Sequence, residues 1–205
     1  MEEKKEHWEK IYGSKGLHEV SWYERLPEIS LKLIEQLNLP EDSAIIDVGG
    51  GDSLLTDHLL KMGFYNLSVL DISGVVLERA RSRLEEKAKR IKWIESNILD
   101  FEPSGQYDLW HDRATFHFLT RETDKQEYFR ILTRAMNTGG YLVIGTFSEQ
   151  GPQKCSGLPV QQYSEESMSA FFRPVFQNVR FVRYEHHTPF NTVQNFIYGC
   201  FKKES

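Results

Sequence analysis

Short apolar runs alternate with amphipathic stretches along the first three quarters of the chain. The runs lie at Ala44–Val48, Asn66–Asp71, Ile91–Glu95, Tyr107–His111 and Tyr141–Phe147. Short apolar runs bounded by turn residues predict strands, and the near-continuous first run predicts one that is buried on both faces. Strands that alternate with helical patterns predict βαβ units and a parallel sheet.

Between the runs, apolar residues recur at helical spacing. The stretches Leu26–Leu39 and Asp52–Met62 each predict a helix, and each is followed by a residue that ends helices, Pro or Gly. Ser73 is expected to cap the helix after the second strand, and Ser164 to cap another helix near the C-terminus.

Two long β-rich runs end the chain. Phe176–His187 and Val193–Phe201 are joined by a short Pro- and Asn-containing segment, so they predict an antiparallel hairpin that completes the sheet. Before them, segment 148–163 leaves the carboxyl end of the fifth strand and is rich in Gly, Pro, Ser and Gln. A loop of this length is often functional. It either covers a substrate or is a mobile connection, and both readings stay open, as does the role of Cys155.

Composition narrows the class of protein. The 205 residues are 40% hydrophobic and 27% charged, which is ordinary for a globular chain, and we expect a single domain over residues 1–205. The net charge of -5 is not the basic footprint of a general nucleic-acid binder, so no nucleic-acid partner is expected. No apolar run approaches a membrane span and the N-terminus has no signal core, so no membrane association is expected.

The cysteines and histidines argue against disulfides and against a metal. Cys155 and Cys200 do not make a disulfide framework, which favours a reducing, cytoplasmic setting. His186 and His187 could join them in a soft-ligand site. However, adjacent residues on a strand point to opposite faces, and the chain has no C-x-x-C motif. We therefore expect no metal.

A glycine turn after the first strand carries the strongest chemical signal. Gly49–Gly51 follows the buried run and precedes Asp52 and Ser53, which are typical of a helix start. Glycines allow a tight turn and the close approach of a ligand. The G-x-G-x-x-G fingerprint of dinucleotide enzymes is incomplete, because Leu54 stands at its third glycine. With Asp47 the pattern is D-x-G-x-G, which resembles motif I of the class I, seven-strand S-adenosylmethionine-dependent methyltransferases.

This resemblance implies a fold and a cofactor. The fold would be Rossmann-like α/β: a three-layer αβα sandwich with a seven-stranded, mostly parallel sheet and an antiparallel C-terminal hairpin. The cofactor would be S-adenosyl-L-methionine, with S-adenosyl-L-homocysteine as product, and Asp47, Gly49 and Gly51 would lie at the cofactor. The stretch Asn137–Gly140, between a helical pattern and a strand, resembles the K-P-G-G stretch before the fifth strand in many members.

The ends of the second and third strands supply further candidates. Asp71 closes the second strand, where a carboxylate suits a ribose diol because it accepts two hydroxyl hydrogen bonds. The adjacent Ile72 is assigned to the same site. After the third strand the family often has G-D-I, whose acid accepts a hydrogen bond from the adenine amino group. Here Asn97 takes that position with an amide oxygen that still accepts, and Ile98 would face the adenine ring.

Residues 1–25 form a leader that is dense in aromatic residues. Trp8 and Tyr12, followed by Trp22 and Tyr23, either pack on the domain or form a lid over the ligand. Aromatic faces attract a sulfonium cation, and a lid excludes water. The pattern resembles the leader of a methyltransferase subgroup that includes eukaryotic protein-lysine methyltransferases. The resemblance assigns Trp8 and Tyr12 to cofactor binding and residues 1–25 to an N-terminal lid.

The loop after the fourth strand is expected to form the active-site wall, since ligands bind beyond the carboxyl ends of the strands in open α/β sheets. The resemblance to the methyltransferases places His111 at the methionine end of the cofactor. Asp112 and His117 are the candidates for a general base, if transfer requires one. Asp112-Arg-Ala-Thr115 also resembles the acid-Lys-Gly-Thr stretch of the lysine methyltransferase subgroup, with Arg for Lys and Ala for Gly.

These features predict a methyltransferase that moves a methyl group from S-adenosylmethionine to a small-molecule or protein side-chain acceptor by in-line displacement. The chain lacks the N/D-P-P-Y/F tetrapeptide, which counts against DNA bases as acceptor. The alternatives are an NAD-dependent oxidoreductase and a module that binds the cofactor without catalysis. The methyl acceptor and the oligomeric state stay open.

Overall fold

The computed structural model, which describes residues 2–204, is built around one large sheet. The strands are β1 (Ile45–Val48), β2 (Leu67–Asp71), β3 (Ile91–Glu95), β4 (Tyr107–Arg113), β5 (Met136–Phe147), β6 (Lys154–Cys155), β7 (Leu158–Pro159), β8 (Phe176–His187) and β9 (Val193–Lys203). The sheet has seven strands in the order β3-β2-β1-β4-β5-β9-β8, while β6 and β7 form a separate hairpin. Strands β1 to β5 are parallel to one another, and β9 is antiparallel to β5.

Helices cover both faces of this sheet. They are α1 (Glu2–Ser14), α2 (Glu28–Glu35), α3 (Leu55–Lys61), α4 (Gly74–Leu84), α5 (Glu122–Ala135) and α6 (Glu165–Phe172). Successive strand residues point to opposite faces, so Ile45 packs in one cluster with α2, α3 and α4, and Ile46 in another with α5 and α6. The predicted three-layer sandwich is confirmed. Over the described residues 2–204, none of the helices is long and apolar enough to cross a membrane.

The C-terminal strands form the predicted antiparallel hairpin. Strands β8 and β9 stay paired as far as His187 and Val193. The pairing of β5 with β9 ends earlier, at Phe147 and Phe196. The hairpin therefore continues beyond the carboxyl end of β5, on the edge of the sheet where ligands bind in open α/β folds.

Several element boundaries differ from the predicted ones. Helix α2 ends at Glu35 instead of Leu39, and β4 continues to Arg113. Strand β5 already begins at Met136, because Asn137–Gly140 lies within the strand as an irregularity in its pairing with β4.

The start of α3 also differs from its prediction, and the cause is tertiary. The helix begins at Leu55, so Asp52 does not cap it. Instead, the Asp52 carboxylate pairs with Arg79 at 2.6 Å and with Arg83 at 2.9 Å, both on α4. The acid after the glycine turn therefore ties the turn to α4 instead of capping α3.

Candidate functional site

A cleft, here called the main cleft, opens at the carboxyl ends of β1, β2 and β4. It encloses about 810 Å³, including space open to solvent. The glycine turn, the ends of β2 and β3, the leader and the loop after β4 all contribute to its lining. Of the residues proposed from the sequence for cofactor binding, the lining contains Trp8, Tyr12, Gly49, Asp71, Ile72, Asn97 and Ile98.

A smaller cleft of about 550 Å³, here called the side cleft, adjoins the main cleft. The two share Tyr12, Trp22, Gly49 and Arg113. The side cleft is also lined by Asp47 and His111. The structure thus distributes nine of the ten predicted cofactor residues over two adjoining clefts around one glycine turn, whereas Gly51 lines neither cleft.

The glycine turn has backbone conformations that require glycine. Gly49 has φ +68° and its N–H donates to the carbonyl of Leu70 at 2.7 Å. A Cβ atom at Gly49 would collide with the Thr115 hydroxyl. Gly51 has φ +26°, and a Cβ atom there would lie 2.6 Å from Asp71 Oδ2. Because Gly49 and Gly51 have no side chains, Thr115 and Asp71 can pack directly against the turn.

Asp71 lies buried at the end of β2, with one oxygen committed to the protein. Its Oδ1 accepts a hydrogen bond from the backbone N–H of Ser73 at 2.9 Å. Burial raises the pKa of Asp71 to about 7, and the nearby carboxylate of Asp47 adds to the shift. The carboxyl group is thus positioned for a diol, but it must lose its proton to accept two hydroxyl hydrogen bonds.

The raised pKa predicts pH-dependent binding of ligands that carry a ribose diol. Below pH 7 a growing fraction of Asp71 is protonated, so affinity falls as pH decreases. For a pKa of about 7, affinity for 5′-deoxy-5′-methylthioadenosine, which has no group that titrates in this range, should rise about tenfold from pH 6 to pH 8. The measurement is calorimetric titration at both pH values.

The Asp71→Asn variant is the control for this pH dependence. It should bind about 1–3 kcal/mol more weakly at pH 8, because an ionised acceptor is lost, and its affinity should not change between pH 6 and 8. A wild-type affinity that is equal at both pH values would contradict the assignment of the titration to Asp71.

Asn97 follows β3 and uses its side chain for local structure as well as for the cleft. Its Oδ1 accepts a hydrogen bond from the N–H of Leu99 at 3.1 Å and so begins the short 3₁₀ helix Ile98–Asp100. An amide oxygen has two lone pairs, so it can accept a second hydrogen bond from a ligand. The predicted adenine role of Asn97 thus agrees with this geometry but stays a prediction.

The leader supplies an aromatic wall. Trp8 stacks with Tyr12 at a centroid distance of 5.8 Å, and it makes edge contacts with Trp22 at 5.8 Å and Phe118 at 5.2 Å. These four rings line the main cleft. The aromatic residues of the leader therefore pack on the domain and face the cleft at the same time.

Polar contacts fix the leader at both ends. On α1, Glu9 accepts a hydrogen bond from the N–H of Gly74 at 2.9 Å, and the carbonyl of Tyr12 accepts one from Arg79. Further along, Arg113 donates to the carbonyl of Trp22 at 2.9 Å. The guanidinium of Arg113 thus ties the aromatic wall to the end of β4.

Arg113 is itself held on the domain side. It donates to the hydroxyl of Tyr198 at 2.9 Å, pairs with Glu24 at 3.3 Å and lies over the ring of Phe196. Arg113 and Glu24 are both largely buried, which makes this an internal ion pair between β4 and the leader. The Arg that replaces Lys in the post-strand motif therefore has a structural role.

Asp112 is fully buried and organises the loop after β4. Its Oδ1 accepts hydrogen bonds from the N–H groups of Thr115 at 2.9 Å and Phe116 at 3.2 Å. Its Oδ2 accepts one from the hydroxyl of Tyr128 at 2.7 Å, which in turn accepts one from Trp110. Burial raises the pKa of Asp112 to about 6. Because Asp112 lines neither cleft, the structure gives no geometric support to its predicted role as a base.

His117 is also fully buried. Its Nδ1 accepts a long hydrogen bond, 3.4 Å, from the N–H of Phe147. Burial lowers the pKa of His117 to about 3, with a contribution from Arg113, so the ring is a poor proton acceptor. Like Asp112, His117 lines neither cleft, and its predicted role as a base has no geometric support.

Some lining residues were not singled out from the sequence. Phe118 and Leu119 reach the main cleft from the loop after β4. Cys155, whose role the sequence left open, reaches it from the β6–β7 hairpin. The segment 148–163 is attached to the loop after β4 by a hydrogen bond, in which the N–H of Gln161 donates to the carbonyl of His117 at 2.8 Å. The segment thus contributes to the wall of the main cleft, although no local signal identifies Phe118 or Leu119.

The candidate metal ligands have other surroundings in the structure. Within residues 2–204, no three His, Cys, Asp or Glu side chains are grouped to hold a metal ion. His186 instead makes a 2.7 Å hydrogen bond to the carbonyl of Ser21. Cys155 and Cys200 are both buried free thiols.

A family model described as "Methyltransferase domain" matches residues 45–140, which run from β1 into β5. "EEF1A lysine methyltransferase 2" of Danio rerio is 27% identical over 82% of this chain and 65% of its own length. "eEF1A lysine and N-terminal methyltransferase" of Danio rerio is 26% identical over 83% of this chain but only 27% of its own length. The chain therefore spans less than two thirds of either relative.

Solved methyltransferase structures share the fold. The N-methyltransferase NodS of Bradyrhizobium japonicum, solved with S-adenosyl-L-homocysteine, superposes with a TM-score of 0.69 at 16% identity over 96% of this chain and 98% of its own. An S-adenosylmethionine-dependent methyltransferase of Anabaena variabilis reaches 0.75 at 15% identity over 98% and 95%.

Residues 45–140 are thus similar to the methyltransferase domain, and the chain has the fold of these solved Rossmann-like methyltransferases.

Proposed function

We propose that this protein is an S-adenosylmethionine-dependent methyltransferase. The observation that carries this proposal is the main cleft, which joins the Asp71 carboxyl group, the glycine turn and the aromatic leader. An NAD-dependent oxidoreductase is not favoured, because Leu54 interrupts the dinucleotide fingerprint and the matched family consists of methyltransferases.

The residues present fit this cofactor part by part. Asp71 has an oxygen available for the ribose diol, and Asn97, which lines the same cleft, would accept a hydrogen bond from the adenine. In the side cleft, the buried Asp47 Oδ2 has no hydrogen-bond partner among residues 2–204, so it can accept from the positively charged amino group. The rings of Trp8 and Tyr12 are attractive to a sulfonium cation.

When bound, the cofactor would supply the electrophilic methyl group. The chain's own contribution is to exclude water through the leader and to align the acceptor between the leader and the loop after β4. Because Asp112 and His117 do not line the cleft, we propose that alignment, and not proton removal by either residue, provides most of the acceleration.

We infer that the acceptor is a protein side chain or a small molecule. The names of the relatives, which are lysine methyltransferases, support a protein lysine. The net charge of -5 would help to attract a basic partner. We propose that residues 1–205 form one domain with residues 1–25 as its lid, that it acts in the cytoplasm, and that its substrates are not nucleic acids.

Calorimetric titration tests the cofactor. We expect S-adenosylmethionine and S-adenosylhomocysteine to bind with micromolar dissociation constants and NAD not to bind. Binding of NAD alone would reverse the proposal. If the cofactor binds tightly but no methyl group reaches any protein or metabolite offered, the chain is a cofactor-binding module without catalysis.

The leader provides a second test. Trp8→Ala removes the ring at the centre of the aromatic wall, so it should weaken binding of S-adenosylhomocysteine about tenfold, or about 1.4 kcal/mol. Trp93→Ala, on β3 and outside the lining of the main cleft, is the matched control and should leave affinity unchanged. Equal affinities in the two variants would show that the leader only packs on the domain.

A further inference from the structure

A buried chain of three side chains reaches the glycine turn from α2. His111 Nδ1 lies 2.7 Å from Asp47 Oδ1, and His111 Nε2 lies 2.8 Å from Ser30 Oγ. All three residues are at most 3% exposed. Ser30 precedes the segment that matches the methyltransferase domain, and the sequence alone does not connect it with the site.

The hydrogen-bonding chemistry fixes the arrangement of this chain. An ionised carboxylate accepts only, so His111 Nδ1 carries the proton that binds Asp47 Oδ1. In a neutral imidazole Nε2 then accepts, and the hydroxyl of Ser30 is its donor. His111 thus holds one oxygen of Asp47, and hydrogen bonds hold the ring of His111 at both nitrogens.

The same order of residues, acid, histidine and serine, occurs in serine hydrolases. A nucleophilic serine must be reachable by its substrate. Ser30 is 1% exposed and lines neither cleft. Ser30 therefore does not act as a nucleophile, and the chain of hydrogen bonds instead positions a side chain.

The positioned group is the other oxygen of Asp47. Asp47 Oδ2 is buried and has no hydrogen-bond partner among residues 2–204. Asp47 lines the side cleft together with Gly50 and His111. A Cβ atom at Gly50 would collide with the Asp47 carboxylate, so the turn closes directly around it. A buried carboxylate oxygen without a donor is costly, and a cationic ligand group would satisfy it.

We propose that His111 and Ser30 are positioning residues that aim Asp47 Oδ2 at the positively charged amino group of the cofactor. This inference rests on the proposed function and deepens it. The hydrogen bonds from Ser30 through His111 to Asp47 make the side cleft selective for ligands that carry the amino acid moiety. The main cleft holds the adenosine moiety independently of these hydrogen bonds.

The test compares two ligands on each variant. S-adenosylhomocysteine carries the amino group, and 5′-deoxy-5′-methylthioadenosine lacks it. In His111→Leu we expect the affinity for S-adenosylhomocysteine to fall about 10- to 30-fold and that for methylthioadenosine to change less than about threefold. Ser30→Ala, a milder change, should shift the same affinity ratio about threefold.

Two further variants serve as controls. His111→Asn should restore most of the ratio, because its amide nitrogen can take the place of Nδ1 and donate to Asp47. Thr146→Val removes a buried hydroxyl on β5 that has no hydrogen-bond partner among the described residues, and should leave the ratio unchanged. The ratio is measured on one sample, so partial unfolding does not imitate the effect.

The possible outcomes separate this inference from the proposed function. If wild type binds S-adenosylhomocysteine but His111→Leu and Ser30→Ala lose both ligands by the same factor, or lose neither, His111 and Ser30 do not position Asp47 for the amino group. If His111→Leu does not fold, the result for Ser30→Ala decides. If wild type binds neither ligand, the proposed function fails and this inference fails with it.

Discussion

Replacing Gly49 with alanine is expected to weaken binding of S-adenosylhomocysteine about 100-fold, or about 2.8 kcal/mol. The backbone at Gly49 has φ +68°, where an alanine is strained, and the added methyl group collides with the Thr115 hydroxyl. Both effects move the turn on which the two clefts meet. Calorimetric titration of wild type and variant measures the change.

Gly139 offers a matched control for the backbone strain. It has φ +80°, and a Cβ atom there meets no other atom within 4 Å. Gly139→Ala should thus lower stability by about 1 kcal/mol and leave ligand affinity unchanged. In addition, Thr115→Ala combined with Gly49→Ala should recover part of the affinity because it removes the colliding hydroxyl. If Gly49→Ala binds like wild type, the turn does not contact the ligand.

Replacing Asp112 with alanine is expected to lower the free energy of unfolding by about 3 kcal/mol. The change leaves the Thr115 and Phe116 N–H groups and the Tyr128 hydroxyl without their acceptor, and each unpaired buried group costs about 1–3 kcal/mol. Part of this loss is offset, because the variant no longer has to bury the Asp112 carboxylate. For a chain of this size the melting temperature should fall by about 6–12 °C, which calorimetry or circular dichroism measures.

Two milder variants distinguish a positioning role for Asp112 from a catalytic one. Asp112→Asn keeps an acceptor for the loop N–H groups but cannot act as a base, and Tyr128→Phe removes one donor to Asp112 without changing the acid. If Asp112 only organises the loop, both variants should lose about 1 kcal/mol of stability and similar fractions of methyl-transfer rate. A loss of rate above about 100-fold in Asp112→Asn, with stability retained, would support the prediction that Asp112 is a general base.

The sequence predicts the elements well because their signals are local. The apolar runs place the strands of the sheet within a few residues of their observed ends, and the glycine turn predicts where the clefts lie. Asp71 and Asn97 are predicted from the sequence because Asp71 closes one recognisable strand and Asn97 follows another, on the edge where ligands bind. The boundaries that fail, at Asp52 and at Asn137–Gly140, fail because tertiary partners compete with the local signal.

The catalytic candidates show the limit of such reasoning. Asp112 and His117 stand in the right loop, and their residue types suit proton transfer. Which way a side chain points depends on its packing partners, and for Asp112 these are Tyr128 on α5 and the folded loop itself. That information is absent from a stretch of neighbouring residues.

The sequence by itself thus determined the class of fold and the glycine turn, and it predicted seven of the residues that line the main cleft, since these follow from hydrophobic periodicity and from short motifs. Only the tertiary structure decided that the leader forms the aromatic wall, that Asp112 organises a loop, and that Ser30 lies within reach of His111, from which it is 81 positions distant. The physical reason is that hydrogen bonding and burial depend on groups brought together by folding, and these groups are far apart in the chain.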